Sequence, residues 1–120
     1  MVKFGDFNGK NIFFIGIGGI SMSALAMFSE KFGATVSGSD MSESAETRKL
    51  QQLGVDIKIG HDASNITTTI DYVIYTAAIP LNNVELIKAN ELKNLQTDKV
   101  KIKKPASECT KKYMTEPVIF

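Results

Sequence analysis

Apolar positions along the chain fall into short unbroken runs that alternate with stretches of helical spacing. The first run, Ile12, Phe13, Phe14 and Ile15, predicts a strand and passes straight into Gly16-Ile17-Gly18-Gly19. Residues 22–32 then read as a helix. Ile20, Ala24, Met27 and Phe28 recur at helical spacing, Leu25 and Phe32 widen the stripe, and Gly33 follows where a helix would end. That stripe is expected to face the core. Residues 35–39 form a second short strand closed by Asp40. Ser42, Glu43, Ser44, Ala45 and Glu46 look like a helix cap with acids in the first turn, and the helix is expected to run through Leu50 and Leu53 and stop at Gly54. Val55, Ile57 and Ile59 alternate with Asp56 and Lys58, the pattern of a strand with one wet face, and Gly60, His61 and Asp62 end it.

The second half repeats the rhythm. Tyr72, Val73, Ile74 and Tyr75 are apolar throughout, as in a central strand, and Pro80 forbids continuation of the ladder beyond Thr76, Ala77, Ala78 and Ile79. Asn82 and Asn83 precede a helix with Leu86, Ile87, Ala89 and Leu92 as its inner face. Val100 and Ile102 predict a fifth strand with Lys101, Lys103 and Lys104 on its exposed side, and Phe4 and Phe7 are expected to pack on the sheet edge. Strands alternating with helices imply an α/β fold: a Rossmann-like, doubly wound, mostly parallel five-stranded sheet with helices on both faces. Residues 1–104 would form this domain and residues 105–120 a poorly patterned tail.

Such a sheet binds ligands beyond the carboxyl ends of its strands, at the switch point. The rule gathers four stretches into one crevice: the loop Gly16, Ile17, Gly18, Gly19, Ile20 and Ser21; Ser39 with Asp40; Gly60 with His61; and Thr76, Ala77 and Ala78. Gly16 would make the tight turn, Gly18 would let backbone approach a ligand, and the following helix N-terminus offers unpaired N–H groups to an anion. Ser21 stands where a third glycine is usual, and could cap the helix or donate to a phosphate oxygen. Asp40 lies 24 residues after Gly16, near where dinucleotide folds place the acid that binds a ribose hydroxyl. His61 reads either as a ligand contact or as a plain loop residue, and the 76–78 turn as a backbone contact or a small-residue bend.

Composition removes other classes. The 120 residues suit one domain, and a net charge of +1 gives no electrostatic case for nucleic acid or a membrane surface. No window is long and apolar enough to span a bilayer, and no signal-peptide pattern opens the chain, so the cytoplasm is the expected location. The single cysteine, Cys109, excludes an internal disulfide and a cysteine-based metal cluster. No serine–histidine–acid pairing or metal-ligand cluster is legible, and no catalytic residue is assigned.

Phe14-Ile15-Gly16-Ile17-Gly18-Gly19-Ile20-Ser21-Met22-Ser23, then Ser37-Gly38-Ser39-Asp40, then Gly60-His61 and Ala78-Ile79-Pro80, stand in an order and at separations that resemble the N-terminal domain of the UDP-N-acetylmuramate–L-alanine ligases, in the Mur ligase family. The resemblance covers residues 10–93. It implies that the domain binds the UDP part of UDP-N-acetylmuramate in peptidoglycan synthesis. The Gly16 to Ser21 loop would face the diphosphate, Ser39 and Asp40 the uridine, and His61 with Thr76, Ala77 and Ala78 would line the same pocket. Ala77 lacks the hydroxyl that many relatives carry there. It also implies that ATP and magnesium serve a full-length enzyme through separate ATP-binding and C-terminal domains. No Gly-x-x-x-x-Gly-Lys-Ser/Thr loop occurs in residues 1–120, so this chain alone is expected to lack ligase activity. The alternatives are an NAD-binding domain of a dehydrogenase or a nucleotide-sensing regulator, or an interaction domain with a vestigial crevice. Against the NAD reading stand Ser21 and the Gly19-x-x-Met22-Ser23 pattern.

Overall fold

The computed structural model describes residues 8–76, 78–95, 101–102 and 117–118. Phe4, Phe7, Ala77, Val100 and Cys109, on which expectations were placed, lie outside the described residues. The elements run β1 (Asn11–Ile15), α1 (Ile20–Lys31), β2 (Thr35–Asp40), α2 (Ala45–Gln52), β3 (Asp56–Ile59), a 3₁₀ turn (Ala63–Asn65), β4 (Tyr72–Thr76), α3 (Val84–Leu95), β5 (Lys101–Ile102) and β6 (Pro117–Val118).

Four strands of four to six residues carry the sheet, all parallel, in the order β3-β2-β1-β4. Two two-residue segments pair with β4: β5 runs parallel beside Tyr72 and Val73, and β6 antiparallel beside Tyr75 and Thr76. β6 comes from the stretch for which no pattern is legible in the sequence. The chain winds from β1 out to β2 and β3, then returns to β4 on the other side of β1, so the switch point lies between β1 and β4.

Strand alternation sorts the apolar residues into two layers. Ile12, Phe14 and Ile74 point to one face, where Met22 and Ala26 of α1 and Leu50 of α2 cover them. Phe13, Ile15, Val73 and Tyr75 point to the other and pack on Leu86, Ala89 and Leu92 of α3. Each fully buried large side chain contributes roughly 1.5–3 kcal/mol. Tyr75 is buried, which pushes its phenol up to about 12 and keeps it neutral.

Helix α1 departs from the expected stripe. Its buried residues are Met22, Ser23, Ala26 and Ser29, whereas Ile20 is 85% and Phe28 and Phe32 are each 50% exposed. Leu25 and Met27 of the expected stripe still pack, partly buried, against the core, while Ile20, Phe28 and Phe32 are left at the surface. In α3, Ile87 is likewise exposed, and Glu85 takes the inward place beside Leu86.

The helix ends follow their sequence signals. Leu53 and Gly54 close α2 with Val55 N–H bonded to the Leu50 carbonyl at 3.1 Å, a Schellman arrangement. At its start, the Ser44 hydroxyl accepts from Thr47 N–H at 3.2 Å while Thr47 Oγ1 accepts from Ser44 N–H at 2.9 Å. The box closes through threonine, not through an acid. Ser44→Ala is expected to cost about 1 kcal/mol in a urea titration, and an unchanged midpoint would show that this cap contributes nothing.

Candidate functional site

A cleft of about 700 Å³ opens at the carboxyl ends of the strands. Gly16, Gly18, Gly19, Ile20, Ser21 and Met22 line it from the β1–α1 side, and Asp40, Met41, Ser42 and Ser44 from the β2–α2 side. His61 closes it beyond β3, and Thr76, Ala78 and Ile79 beyond β4. The four sequence stretches thus meet, because each follows a parallel strand ending at the same edge. The volume is that of a small-molecule site.

Two of the expected residues turn away from this space. The Ile17 side chain is fully buried in the core beneath α1, and Ser39 is fully buried with its hydroxyl bonded elsewhere. Alternation explains Ser39: its neighbours Gly38 and Asp40 face the opposite way along β2.

The loop amides also differ from expectation. Gly16 and Ile17 N–H both bond the Ser39 carbonyl, at 2.8 and 2.9 Å, and Gly19 N–H bonds the Gly16 carbonyl at 3.2 Å. Gly18 N–H donates to Asp40 Oδ2 at 2.8 Å. A Cβ on Gly18 would stand 2.8 Å from that oxygen and 3.0 Å from Thr47 Cγ2. Gly18 is therefore small so that Asp40 and the start of α2 can close on the loop. The donors left over are the first-turn amides of α1: Ile20, Ser21 and Met22 N–H have no partner among the described residues. Gly19 is the N-cap and no side chain caps the helix, so Ser21 faces the cleft without capping. Among the described residues, the helix thus presents its positive end to the cleft without a cap.

Across the cleft stands a polar network that the sequence reading did not identify. Asn83 Oδ1 accepts from Glu85 and Leu86 N–H at 2.9 and 3.2 Å and starts α3. This fixes the turn that sends Glu85 inward, where it is fully buried. Glu85 Oε1 lies 2.7 Å from His61 Nδ1 and 2.5 Å from Ser39 Oγ, and Oε2 accepts from Asn65 Nδ2 at 2.8 Å. The signal was available: Glu85, Ala89 and Leu92 share one helical face. Asp62, next to His61, has its carboxyl lowered by the Ser64 N–H bond at 2.8 Å. Thr76 Oγ1 accepts from Ala78 N–H at 3.3 Å, so that hydroxyl braces its own turn.

Ile20, Met41 and Ile79 give the cleft an apolar rim, and Ile20 and Met41 are among the most exposed large apolar side chains described. A smaller cleft of about 420 Å³ lies elsewhere, at the open sheet face beside Ser37, Asp56 and Lys58. Among the described residues no group of three or more His, Cys, Asp and Glu side chains could hold a metal ion, and no helix is long and apolar enough to cross a membrane.

A family model described as "Mur ligase family, catalytic domain" matches residues 11–100. The UDP-N-acetylmuramate–L-alanine ligase of Clostridium novyi is 54% identical over 90 residues, covering 75% of this chain and 19% of that protein. Its counterpart from Caldicellulosiruptor saccharolyticus is 52% identical over 83 residues, covering 69% and 18%. Among solved structures, a murein peptide ligase from Psychrobacter arcticus matches with a TM-score of 0.64 at 26% identity, over 78% of this chain and 19% of that one. A UDP-N-acetylmuramate:L-alanyl-gamma-D-glutamyl-meso-diaminopimelate ligase from Neisseria meningitides gives 0.63 at 26% identity, over 78% and 28%. The chain spans about a fifth of the length of the curated relatives it matches. From the match over residues 11–100, together with identities above 50% to these ligases, the chain belongs to the Mur ligase family.

Proposed function

We propose that this chain is the nucleotide-sugar-binding domain of an L-alanine-adding ligase, and that its cleft takes the UDP part of UDP-N-acetylmuramate. The observation that carries the reading is the set of three amides, Ile20, Ser21 and Met22 N–H, without a partner among the described residues, at the mouth of a 12-residue helix lining the cleft. A diphosphate is the group that such a donor set serves. Each hydrogen bond to a charged oxygen contributes about 1.5–3 kcal/mol, and the helix dipole adds up to about 1 kcal/mol.

Charge orders the ligand within the cleft. A phosphate oxygen about 4 Å from the Asp40 carboxylate would meet a repulsion of about 4 kcal/mol at an effective dielectric of 20. The diphosphate therefore sits on the α1 side, and the uncharged ribose and uracil lie toward Asp40, Met41 and His61. Activation of the sugar's carboxylate by ATP and magnesium, and attack by L-alanine, belong to ATP-binding and C-terminal domains outside this chain, and no step of that chemistry is assigned to its residues.

Parallel calorimetry with UDP-N-acetylmuramate, UDP, NAD and ATP tests the reading. The UDP compounds are expected to bind and to stabilise the chain by about 2.7 kcal/mol at a hundredfold excess over Kd. Incubation with ATP, L-alanine and UDP-N-acetylmuramate is expected to release no phosphate. Preference for NAD, or no stabilisation by any of the four, would overturn the assignment.

A further inference from the structure

Glu85 is the only charged residue that is buried among the described residues, and burying a carboxylate is costly unless its oxygens are met by donors. Here they are met in full. Ser39 Oγ and His61 Nδ1 converge on Oε1 at 2.5 and 2.7 Å. Asn65 Nδ2 reaches Oε2 at 2.8 Å, with Asp62 N–H farther out at 3.5 Å. An ionised carboxylate only accepts, so each of these groups must bring a proton to it. For His61 that requirement selects the ring nitrogen that carries hydrogen. The 2.9 Å approach of Ser39 Oγ to Nδ1 follows from both groups donating to one oxygen.

The other ring nitrogen is treated differently. His61 Nε2 has no hydrogen-bond partner among the described residues, yet no side-chain nitrogen or oxygen buried there lacks one. Nε2 is therefore not sealed from solvent, and His61 is one of the residues that line the cleft. In free histidine the proton moves between the two nitrogens, whereas a carboxylate at Nδ1 holds it in place.

We infer that Glu85 is a positioning residue: it fixes neutral His61 as the Nδ1–H tautomer and presents Nε2 to the cleft as an acceptor for a donor group of the ligand. This rests on the cleft being the nucleotide-sugar site. The donor is a ribose hydroxyl or the imide N–H of uracil. Ser39 and Asn65 act with Glu85 and make no contact with the ligand. The network also joins three elements, since Ser39 stands on β2, Asn65 in the 3₁₀ turn and Glu85 on α3.

The chain has one histidine, so its ring nitrogens are read without ambiguity by ¹⁵N NMR. With the ring neutral, the wild-type chain is expected to show a protonated Nδ1 and an unprotonated Nε2. In Glu85→Gln the population is expected to move toward Nε2–H, and UDP affinity to fall about tenfold, the value of one hydrogen bond. Within the UDP series, 2′-deoxy-UDP and N3-methyl-UDP identify the donor: one of them is expected to bind wild type more weakly and to lose that deficit in Glu85→Gln. A wild-type ring protonated at Nε2 would overturn the inference, and needs no variant. So would a cooperatively melting Glu85→Gln chain with unchanged UDP affinity. Failure of UDP to bind the wild-type chain would instead refute the function proposed for the cleft, while the tautomer still decides whether Glu85 sets the ring.

Discussion

Gly38→Ala lowers the melting temperature by about 10 °C, the expected result of forcing one methyl group into a space that does not exist. A Cβ at this position in β2 would lie 2.6 Å from the Phe14 carbonyl oxygen, 2.7 Å from Ile17 Cδ1 and 2.8 Å from Ile17 Cβ. The first of these neighbours is backbone in the central strand and cannot turn aside. The second is a side chain with no exposure, on a residue whose own N–H is tied to the Ser39 carbonyl at 2.9 Å. Relief must come from moving β2 away from β1 or lifting the β1–α1 loop. Overpacking of this kind costs about 3 kcal/mol, and a domain of this size loses roughly 3–4 °C per kcal/mol. The loop carries the first turn of α1, so nucleotide affinity should fall with stability. Gly19→Ala is the comparison, since its Cβ would find nothing nearer than the Gly16 oxygen at 3.6 Å. It is expected to cost below about 1 kcal/mol. Equal melting temperatures for the two variants would mean that Ile17 does not pack on Gly38 as described.

The second large effect is on binding with the fold left intact. Ile20 is the first residue of α1, its N–H has no partner among the described residues, and Gly19 before it has φ −63° and ψ 154°. That is the extended conformation a residue preceding proline adopts, and proline is well tolerated at the first helical position. Ile20→Pro therefore removes one donor from the cleft without breaking an intrahelical bond. Stability should hold or rise by up to about 1 kcal/mol through the stiffer unfolded chain. UDP affinity should fall roughly 10- to 100-fold, the loss of one hydrogen bond to a charged oxygen. Ile20→Ala separates the amide from the side chain: it keeps the N–H and removes only part of the apolar rim. If proline and alanine weaken binding equally, the first-turn amides are not the phosphate donors.

The glycine turn after Ile15, the Schellman glycine after α2 and the cap at Ser44 are all legible from residue order, because they depend on a few adjacent residues. So is the succession of β1 to β4 with the helices between them, since runs of apolar residues bounded by glycine, proline and asparagine have few other folds. The convergence of Gly16, Asp40, His61 and Thr76 on one edge follows as well, because parallel strands joined by helical crossovers end on the same side. The side-chain assignments within helices are less legible. Leu25 and Met27 pack at the edge of the core as their spacing suggests, yet Phe28 is half exposed and Met22, Ser23, Ala26 and Ser29 form the buried face. Spacing specifies a stripe but not the distance between layers.

Sequence alone determined the parallel α/β order, the location of a crevice at its switch point and the likeness to Mur ligases, since each is encoded in local patterns and their succession. Tertiary structure decided which groups face that crevice. It spent the Gly16–Gly19 amides on Ser39, Asp40 and the loop itself, left those of Ile20 to Met22 without a partner among the described residues, and placed Glu85 behind His61 across 24 residues of chain. The physical reason is that hydrogen-bond partners are assigned by proximity after the layers close, and a donor's availability depends on neighbours far away in sequence.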